Sequence, residues 1–210
     1  MYRAAKFWDR TAEKYAAMPV RNPEAYAALL DMVRGYLNPK YAVLELGCGT
    51  GSTAIVLAPD VARFVATDVS EAMLDKGREK ARDQGIGTVE FVHADAADAP
   101  PGPFDVVLAF NLLHLIEDRD AAMAEIASRL RPGGLFISKT FCMPERRNLI
   151  WFLIKTALPV LQAVGRAPYF GKLSPDELEA LITSAGFTIV DTQRAAGKDP
   201  RRTIVARRDG

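Results

Sequence analysis

Ala42-Val43-Leu44-Glu45-Leu46-Gly47-Cys48-Gly49-Thr50-Gly51 is the stretch that decides how this chain folds. An apolar run ends in a carboxylate. Three glycines follow at alternate positions, and then a helix-like segment begins. This is the pattern of a strand-turn-helix junction that holds a nucleoside-containing cofactor. Glycine lets the backbone approach a ligand because no Cβ intervenes. The carboxylate narrows the class of ligand. A dinucleotide site leaves its first turn and helix N-terminus to a pyrophosphate, and Glu45 would repel that group. Glu45 suits a cation instead, such as an ammonium or a sulfonium. The glycine spacing is G-x-G-x-G, not the G-x-G-x-x-G of the dinucleotide fingerprint.

Strands and helices alternate outward from this junction. Before it, residues 2 to 18 read as a helix carrying Phe7, Trp8, Tyr15 and Met18. Asn22-Pro23-Glu24 opens a second helix, a cap residue followed by proline at the first helical position, ending near Asn38-Pro39. The first strand covers about Tyr41 to Leu46. After the glycines, Arg63 to Thr67 is a strand ending in Asp68, and Ser70 caps a helix to about Asp83. Val89 to Val92 and Phe104 to Phe110 are strands. Met123, Ile126, Ala127 and Leu130 share one helical face, and Arg131-Pro132-Gly133-Gly134 stops that helix. Leu135 to Ser138 is a strand. Ser174-Pro175-Asp176-Glu177 is a helix start with a reciprocal capping box. Phe187 to Thr192 and Thr203 to Ala206 are the last strands, joined by Gly-Lys-Asp-Pro without a helix, so the final strand should run antiparallel to its neighbour.

The fold class that follows is α/β: a doubly wound, Rossmann-like, seven-stranded sheet, mostly parallel, with an antiparallel last strand. The chain of 210 residues fits a single domain. Residues 1–40 read as an N-terminal helical cap, 41–141 as the cofactor-binding half, 142–173 as a lid-like insertion, and 174–210 as the C-terminal helix and last two strands. Composition is that of a packed soluble protein, 49% hydrophobic and 25% charged. A net charge of +1 supplies no global field for nucleic acid or a membrane. The two cysteines form no metal or redox spacing, so no metal is expected and a reducing cytoplasm is the simpler location. The sequence leaves monomer and homodimer open.

In open parallel sheets ligands sit outside the carboxyl ends of the strands. Glu45, Asp68, Asp95 and Asn111 all fall at such ends. Asp68 follows Gly49 by 19 positions (68 − 49), a spacing at which a carboxylate accepts hydrogen bonds from both hydroxyls of a ribose. Asp68 also reads as a helix-capping residue before Ser70.

Glu45-Leu46-Gly47-Cys48-Gly49-Thr50-Gly51 resembles the first motif of class I S-adenosylmethionine-dependent methyltransferases. Phe7-Trp8-Asp9-Arg10 and the segment Asp68 to Asp75 are similar to the small-molecule group that includes quinone- and lipid-precursor methylating enzymes. The resemblance covers roughly residues 40 to 207. It implies S-adenosyl-L-methionine as cofactor, S-adenosyl-L-homocysteine as product, and methyl transfer by in-line displacement to a small apolar, aromatic or lipid-like acceptor. It implies a cofactor site of Glu45, Gly47, Cys48, Gly49, Gly51, Asp68, Val69, Met73, Asp95, Ala96, Phe110 and Asn111. Asp95 and the backbone N–H of Ala96 would serve the adenine. Cys48 reads as a space-filling residue in the turn, and His93 as a rim residue.

His114 is the catalytic candidate: it either orients or deprotonates an acceptor, or is a buried histidine bonded to backbone. Trp8 and Tyr15 are either a cap closing over the cofactor or an amphipathic helix on the sheet, with Asp9, Arg10 and Lys14 as its solvated face. Leu149 to Leu161, with Trp151 and Phe152, adds an apolar helix after strand five. It is too interrupted by Lys155 and Pro159 to span a bilayer, which takes about 20 residues. It is a lid over an apolar acceptor, a dimer or membrane-surface contact, or core. The basic C-terminus lacks the interleaved aromatics of a nucleic-acid site, and none is expected. Two other classes remain: an NAD(P)-dependent oxidoreductase, disfavoured by Glu45 and the glycine spacing, and a non-catalytic S-adenosylmethionine-binding module.

Overall fold

The structure, a computed structural model, describes residues 2–143, 158, 162, 166–194 and 199–210. Strands β1 (Ala42–Leu46), β2 (Arg63–Asp68), β3 (Val89–His93), β4 (Phe104–Phe110), β5 (Leu130–Phe141), β6 (Phe187–Arg194) and β7 (Arg201–Arg208) make one seven-stranded sheet in the order β3-β2-β1-β4-β5-β7-β6. The first five pair in parallel. β7 slots between β5 and β6 and runs antiparallel to both. The expected doubly wound sheet with an antiparallel last strand is therefore what the chain forms.

The described helices are α1 (Tyr2–Ala16), α2 (Pro23–Arg34), α3 (Ser52–Leu57), α4 (Glu71–Asp83), α5 (Arg119–Arg129) and α6 (Pro175–Ser184). The chain steps outward from β1 to β3 through α3 and α4. It then returns past β1 to β4 and steps the other way through α5. Right-handed crossovers in opposite directions put their helices on opposite faces. One apolar layer joins α2 and α3 to Val43, Phe64, Val106 and Ile137. The other joins Met123 and Ile126 of α5 and Leu178 and Ile182 of α6 to Leu44, Val65, Val107 and Phe136. Covered on both faces, β1 and β4 are nearly continuous apolar runs.

Helix starts follow capping chemistry. Asn22 Oδ1 accepts from Ala25 N–H at 3.0 Å, and Ser70 Oγ from Met73 N–H at 3.2 Å. Ser174 and Glu177 close the capping box from both sides. Helix ends differ from the sequence expectation. α1 stops at Ala16 and α2 at Arg34, because the backbone tightens there into three-residue turns, Met18 N–H to Tyr15 and Leu37 N–H to Arg34. The first strand starts at Ala42, one residue later than expected. Strand five starts at Leu130 rather than Leu135. Arg131-Pro132-Gly133-Gly134 does end α5, but it does so as a bulge inside β5: Phe104 pairs with Leu130 and Val106 already with Leu135.

Asp9 corrects another expectation. It is not merely part of a solvated face. Ser70 Oγ donates to Asp9 Oδ1 at 2.6 Å, and Ala72 N–H points to the same oxygen at 3.4 Å. The carboxylate thus sits at the positive N-terminus of α4. Lys76 of α4 pairs with Glu13 of α1 at 2.7 Å. α1 is pinned to α4 through these polar contacts, with Ala12 buried. The apolar helix expected after strand five, with Trp151 and Phe152, lies outside the described residues. No helix among the described residues is long and apolar enough to cross a membrane.

Removing the Asp9 carboxylate should loosen α1 and leave the sheet intact. Asp9→Ala is expected to cost about 1 kcal/mol, or roughly 2–4 °C in Tm for a domain of this size. Hydrogen exchange should accelerate over residues 2–16 and stay unchanged in β1, β4 and β5. Uniform acceleration across the sheet would contradict the latch.

Candidate cofactor and acceptor site

β1 has β2 on one side and β4 on the other, so the winding direction reverses between β1 and β4. At such a switch point the loops leaving the two strands diverge and open a crevice. Register decides which side chains face it. Glu45 pairs with Ala66 and Leu108, Phe110 with Lys139, and Phe141 with Arg201. With two-residue alternation, Glu45, Asp68, Phe110, Lys139, Phe141 and Arg201 therefore lie on one face at one end of the sheet.

The carboxylates occupy the β1–β2 side. Glu45 is 3% exposed. One of its oxygens accepts from Ala54 N–H of α3. The other, Oε2, is buried with no hydrogen-bond partner among the described residues. Burial first, then the nearby Asp68 charge, push the Glu45 carboxyl up to about 8. Asp68 is also buried. Its Oδ2 accepts from Gly49 N–H at 2.8 Å and its Oδ1 from Ser70 N–H at 2.9 Å. Burial raises its pKa against the lowering effect of these bonds. The Val69 N–H also favours the charged form, and a carboxylate, with about four lone-pair sites, is not exhausted by these donors. Asp68 therefore also holds two backbone groups in place.

The three glycines have different jobs. All adopt positive φ. A Cβ on Gly47 would strike Leu112 at 2.8 Å, and one on Gly51 would strike the Phe91 ring at 2.6 Å. Those two positions are closed by packing. A Cβ on Gly49 would meet only Tyr15 Cε1, at 3.9 Å, an ordinary contact, so the least crowded of the three glycines forms a shallow cradle under that ring. Cys48 lies beside Glu45 and Asp68, and burial with these two carboxylates keeps its thiol protonated. Trp8 stacks edge-on to Tyr15 with centroids 6.2 Å apart. The Tyr15 phenol is pushed up by burial and by Asp68 and pulled down by Arg201, so it feels both ends of the site.

The loop after β3 is stitched to the same edge. Ala94 N–H bonds Asp68 O at 3.1 Å, and His93 Nε2 lies 3.0 Å from Val69 O. Asp95 and Ala96 follow directly and are half-buried, with Asp95 Oδ1 accepting from Ala97 N–H. Met73 is 2% exposed, in the core under the first turn of α4. Phe110 ends β4, and Asn111 turns the chain there with φ 55°, a left-handed conformation that asparagine tolerates better than most residues. Its N–H bonds Lys139 O at 2.6 Å.

The β4–β5–β7 side carries the opposite charge and an aromatic wall. His114 is buried, with its ring 5.0 Å from Phe170 and 6.0 Å from Phe141. Burial, Arg119 and Arg201 lower its pKa to about 4, so the imidazole is neutral at pH 7. Its Nδ1 is buried without a partner among the described residues. Lys139, Asp199, Arg201 and Phe170 escaped the sequence reading. The signal was present for Lys139, which ends the apolar run Leu135-Phe136-Ile137-Ser138 much as Glu45 and Asp68 end theirs. Trp151 and Phe152 lie outside the described residues. No group of three metal-ligating side chains occurs among the described residues.

An orphaned buried carboxylate oxygen, a cradle at Gly49 and the Asp68 carboxylate beside them fit a ligand that brings a cation and a hydroxyl-bearing sugar. Comparison with known proteins agrees. Residues 43–134 match the family model described as a methyltransferase domain. The demethylmenaquinone methyltransferase of Clavibacter sepedonicus is 40% identical over 71% of this chain and 66% of its own length. The ubiquinone/menaquinone biosynthesis C-methyltransferase UbiE of Idiomarina loihiensis is 30% identical over 74% of this chain and 69% of its own. The chain thus spans about two thirds of these relatives. In fold it superposes on magnesium protoporphyrin IX methyltransferase (ChlM) from Synechocystis PCC 6803, solved with bound SAH. That match has TM-score 0.73 and 21% identity, over 99% of this chain and 96% of that one. The chain belongs to the class I S-adenosylmethionine-dependent methyltransferases, in the group that includes the quinone-biosynthesis enzymes.

Proposed function

We propose that this enzyme transfers the methyl group of S-adenosylmethionine to a small, aromatic, quinone-like acceptor. The observation that carries the reading is the buried Glu45 carboxylate. Its unpartnered oxygen stands at the carboxyl end of β1, beside Asp68 and the glycine turn that Asp68 holds. Burying such a group is costly unless a cation arrives to pair with it. The relatives' names and the aromatic wall of His114, Phe141 and Phe170 support the acceptor class.

When bound, the cofactor supplies a methyl group already made electrophilic by its sulfonium. The protein's share is binding, orientation and exclusion of water. Glu45 would take the cofactor's ammonium end, Asp68 its ribose hydroxyls, and Asp95 with the Ala96 N–H its base. Trp8 and Tyr15 would close over the Gly49 cradle. His114, neutral at pH 7, is a weak base. Its buried Nδ1 suits it to orient an acceptor through a hydrogen bond rather than to remove a strongly held proton. Both cysteines are free, in keeping with a cytoplasmic location.

Calorimetric titration tests the cofactor half. S-adenosylhomocysteine should bind and NAD should not. Binding of NAD alone would move the protein to the oxidoreductases. Asp68→Asn should weaken S-adenosylhomocysteine binding by roughly tenfold or more, because an amide nitrogen cannot accept a hydroxyl's hydrogen bond. Near-wild-type affinity would remove Asp68 from the site.

Glu45 makes a separate prediction about pH. Its folded pKa of about 8 lies above the ordinary 4.5, so the folded state holds the extra proton between these values. The stability this group contributes is full below about 4.5 and is lost as pH rises through about 8. In the ligand-free wild type, Tm should fall across that window more than in Glu45→Gln, whose neutral amide does not titrate. The same variant should bind S-adenosylhomocysteine more weakly at pH 8. Identical pH–Tm curves would show that Glu45 is ionised in the free protein.

A further inference from the structure

The β5–β7 end of the crevice holds a group that the cofactor reading does not use. Lys139 is 9% exposed, yet its ammonium has no hydrogen bond and no ion pair within 4 Å among the described residues. The neighbouring half-buried pair Arg201 and Asp199 satisfy each other. Arg201 donates from Nε to Asp199 Oδ1 at 2.8 Å and makes a second contact through its terminal nitrogen. Asp199 also caps Arg201 N–H at 3.0 Å. Lys139 feels both residues only at longer range, Arg201 unfavourably and Asp199 favourably. Asp199 is already committed to Arg201, so the three residues sum to one uncompensated positive charge.

Its position matters as much as its isolation. Lys139 pairs with Phe110 on one side and Thr203 on the other, and Arg201 lies diagonally across β7 opposite Phe141. All face the crevice on the same side as Glu45. β5 stands two strands from β1, or roughly 10 Å at about 4.8 Å per strand. That is the separation of a second ligand beside the first. The wall next to it is the Phe141–Phe170–His114 cluster. Lys139 thus presents a positive charge without a near partner on the same face of the sheet as the unpartnered Glu45 oxygen at the other end. One end of the crevice is built for a cation, and the other for an anion on an aromatic ring.

We propose that Lys139, backed by Arg201, binds an acidic oxygen of the acceptor, an ionised phenol or enol on an aromatic or quinone ring, and holds it in its anionic form for methylation at that ring. This rests on the methyltransferase reading and deepens it. Lys139 would favour the deprotonated acceptor by pairing with it, which relieves His114 of acting as a strong base. In the transfer, the acceptor's electron pair forms the new bond to the methyl carbon as the carbon–sulfur bond breaks. The sulfonium charge and the acceptor's negative charge cancel together.

The test uses the full chain saturated with S-adenosylhomocysteine and two probes of one shape. 2-Hydroxy-1,4-naphthoquinone is an acidic enol, ionised at neutral pH, and 2-methoxy-1,4-naphthoquinone is its neutral ether. The wild type should prefer the hydroxy probe by roughly tenfold or more, as expected for a charge-assisted pair. Lys139→Met should abolish that preference, keep S-adenosylhomocysteine affinity, and melt no lower than the wild type, since an unpaired buried charge is gone. Asp199→Asn should move the other way and tighten the hydroxy probe. Equal affinity for both probes, failure of both to bind, or a preference that survives Lys139→Met would overturn the proposal. If Lys139→Met does not fold, the direction of the Asp199→Asn effect decides it. A wild type that does not bind S-adenosylhomocysteine at all would instead defeat the methyltransferase reading, and the prior titration shows this separately.

Discussion

Much of this site depends on one carboxylate at the end of β2. Asp68 accepts from Gly49 N–H in the loop after β1 and from Ser70 N–H at the start of α4. Its own carbonyl receives Ala94 N–H from the loop after β3. Three loops that leave the sheet independently are thereby tied to a single residue. Ser70 extends the tie to Asp9 of α1, and Lys80 of α4 reaches back to Thr50 and Ser52 around the glycine turn. The cradle at Gly49 keeps its shape because its amide is held from below. Such fixed geometry is what positioning of two reactants requires.

Charge is then distributed along the crevice in two halves. Glu45 and Asp68 stand over β1 and β2, while Lys139 and Arg201 stand over β5 and β7. Neither Glu45 nor Lys139 is neutralised by a near partner among the described residues, and both are shifted toward their uncharged forms by burial. Folded domains are stable by only about 5–15 kcal/mol, so the unsatisfied buried oxygen of Glu45 is a sizeable concession. It persists at a switch point of the sheet and not in the apolar layers beneath.

The sheet was legible because its strands are buried runs punctuated by caps. Asn22, Ser70 and Ser174 start their helices as the residue types require. The order that places β7 between β5 and β6 was not readable, because periodicity says nothing of which neighbour a strand chooses. The acidic end of the site, proposed for the cofactor, was legible because Glu45, the glycines and Asp68 lie around two strand ends that are close in sequence. The basic end, proposed for the acceptor, was not. Lys139 and Arg201 are brought together by antiparallel pairing across the sheet, a contact that no local spacing encodes. Asp9 was misread for a similar reason: a carboxylate on a polar helix face looks solvated until the N-terminus of α4 is placed against it.

Ser70 serves two partners through different chemistry. Its oxygen accepts from Met73 N–H, which caps α4, while its hydroxyl proton goes to Asp9. The two bonds are independent, so releasing α1 does not uncap α4. The helix bearing Trp8 and Tyr15 is hinged to the domain by a fastening that opens without unravelling what lies below. Releasing α1 thus costs its own contacts, the Asp9 bond, the Lys76–Glu13 pair and the buried Ala12, and leaves the cap beneath it in place.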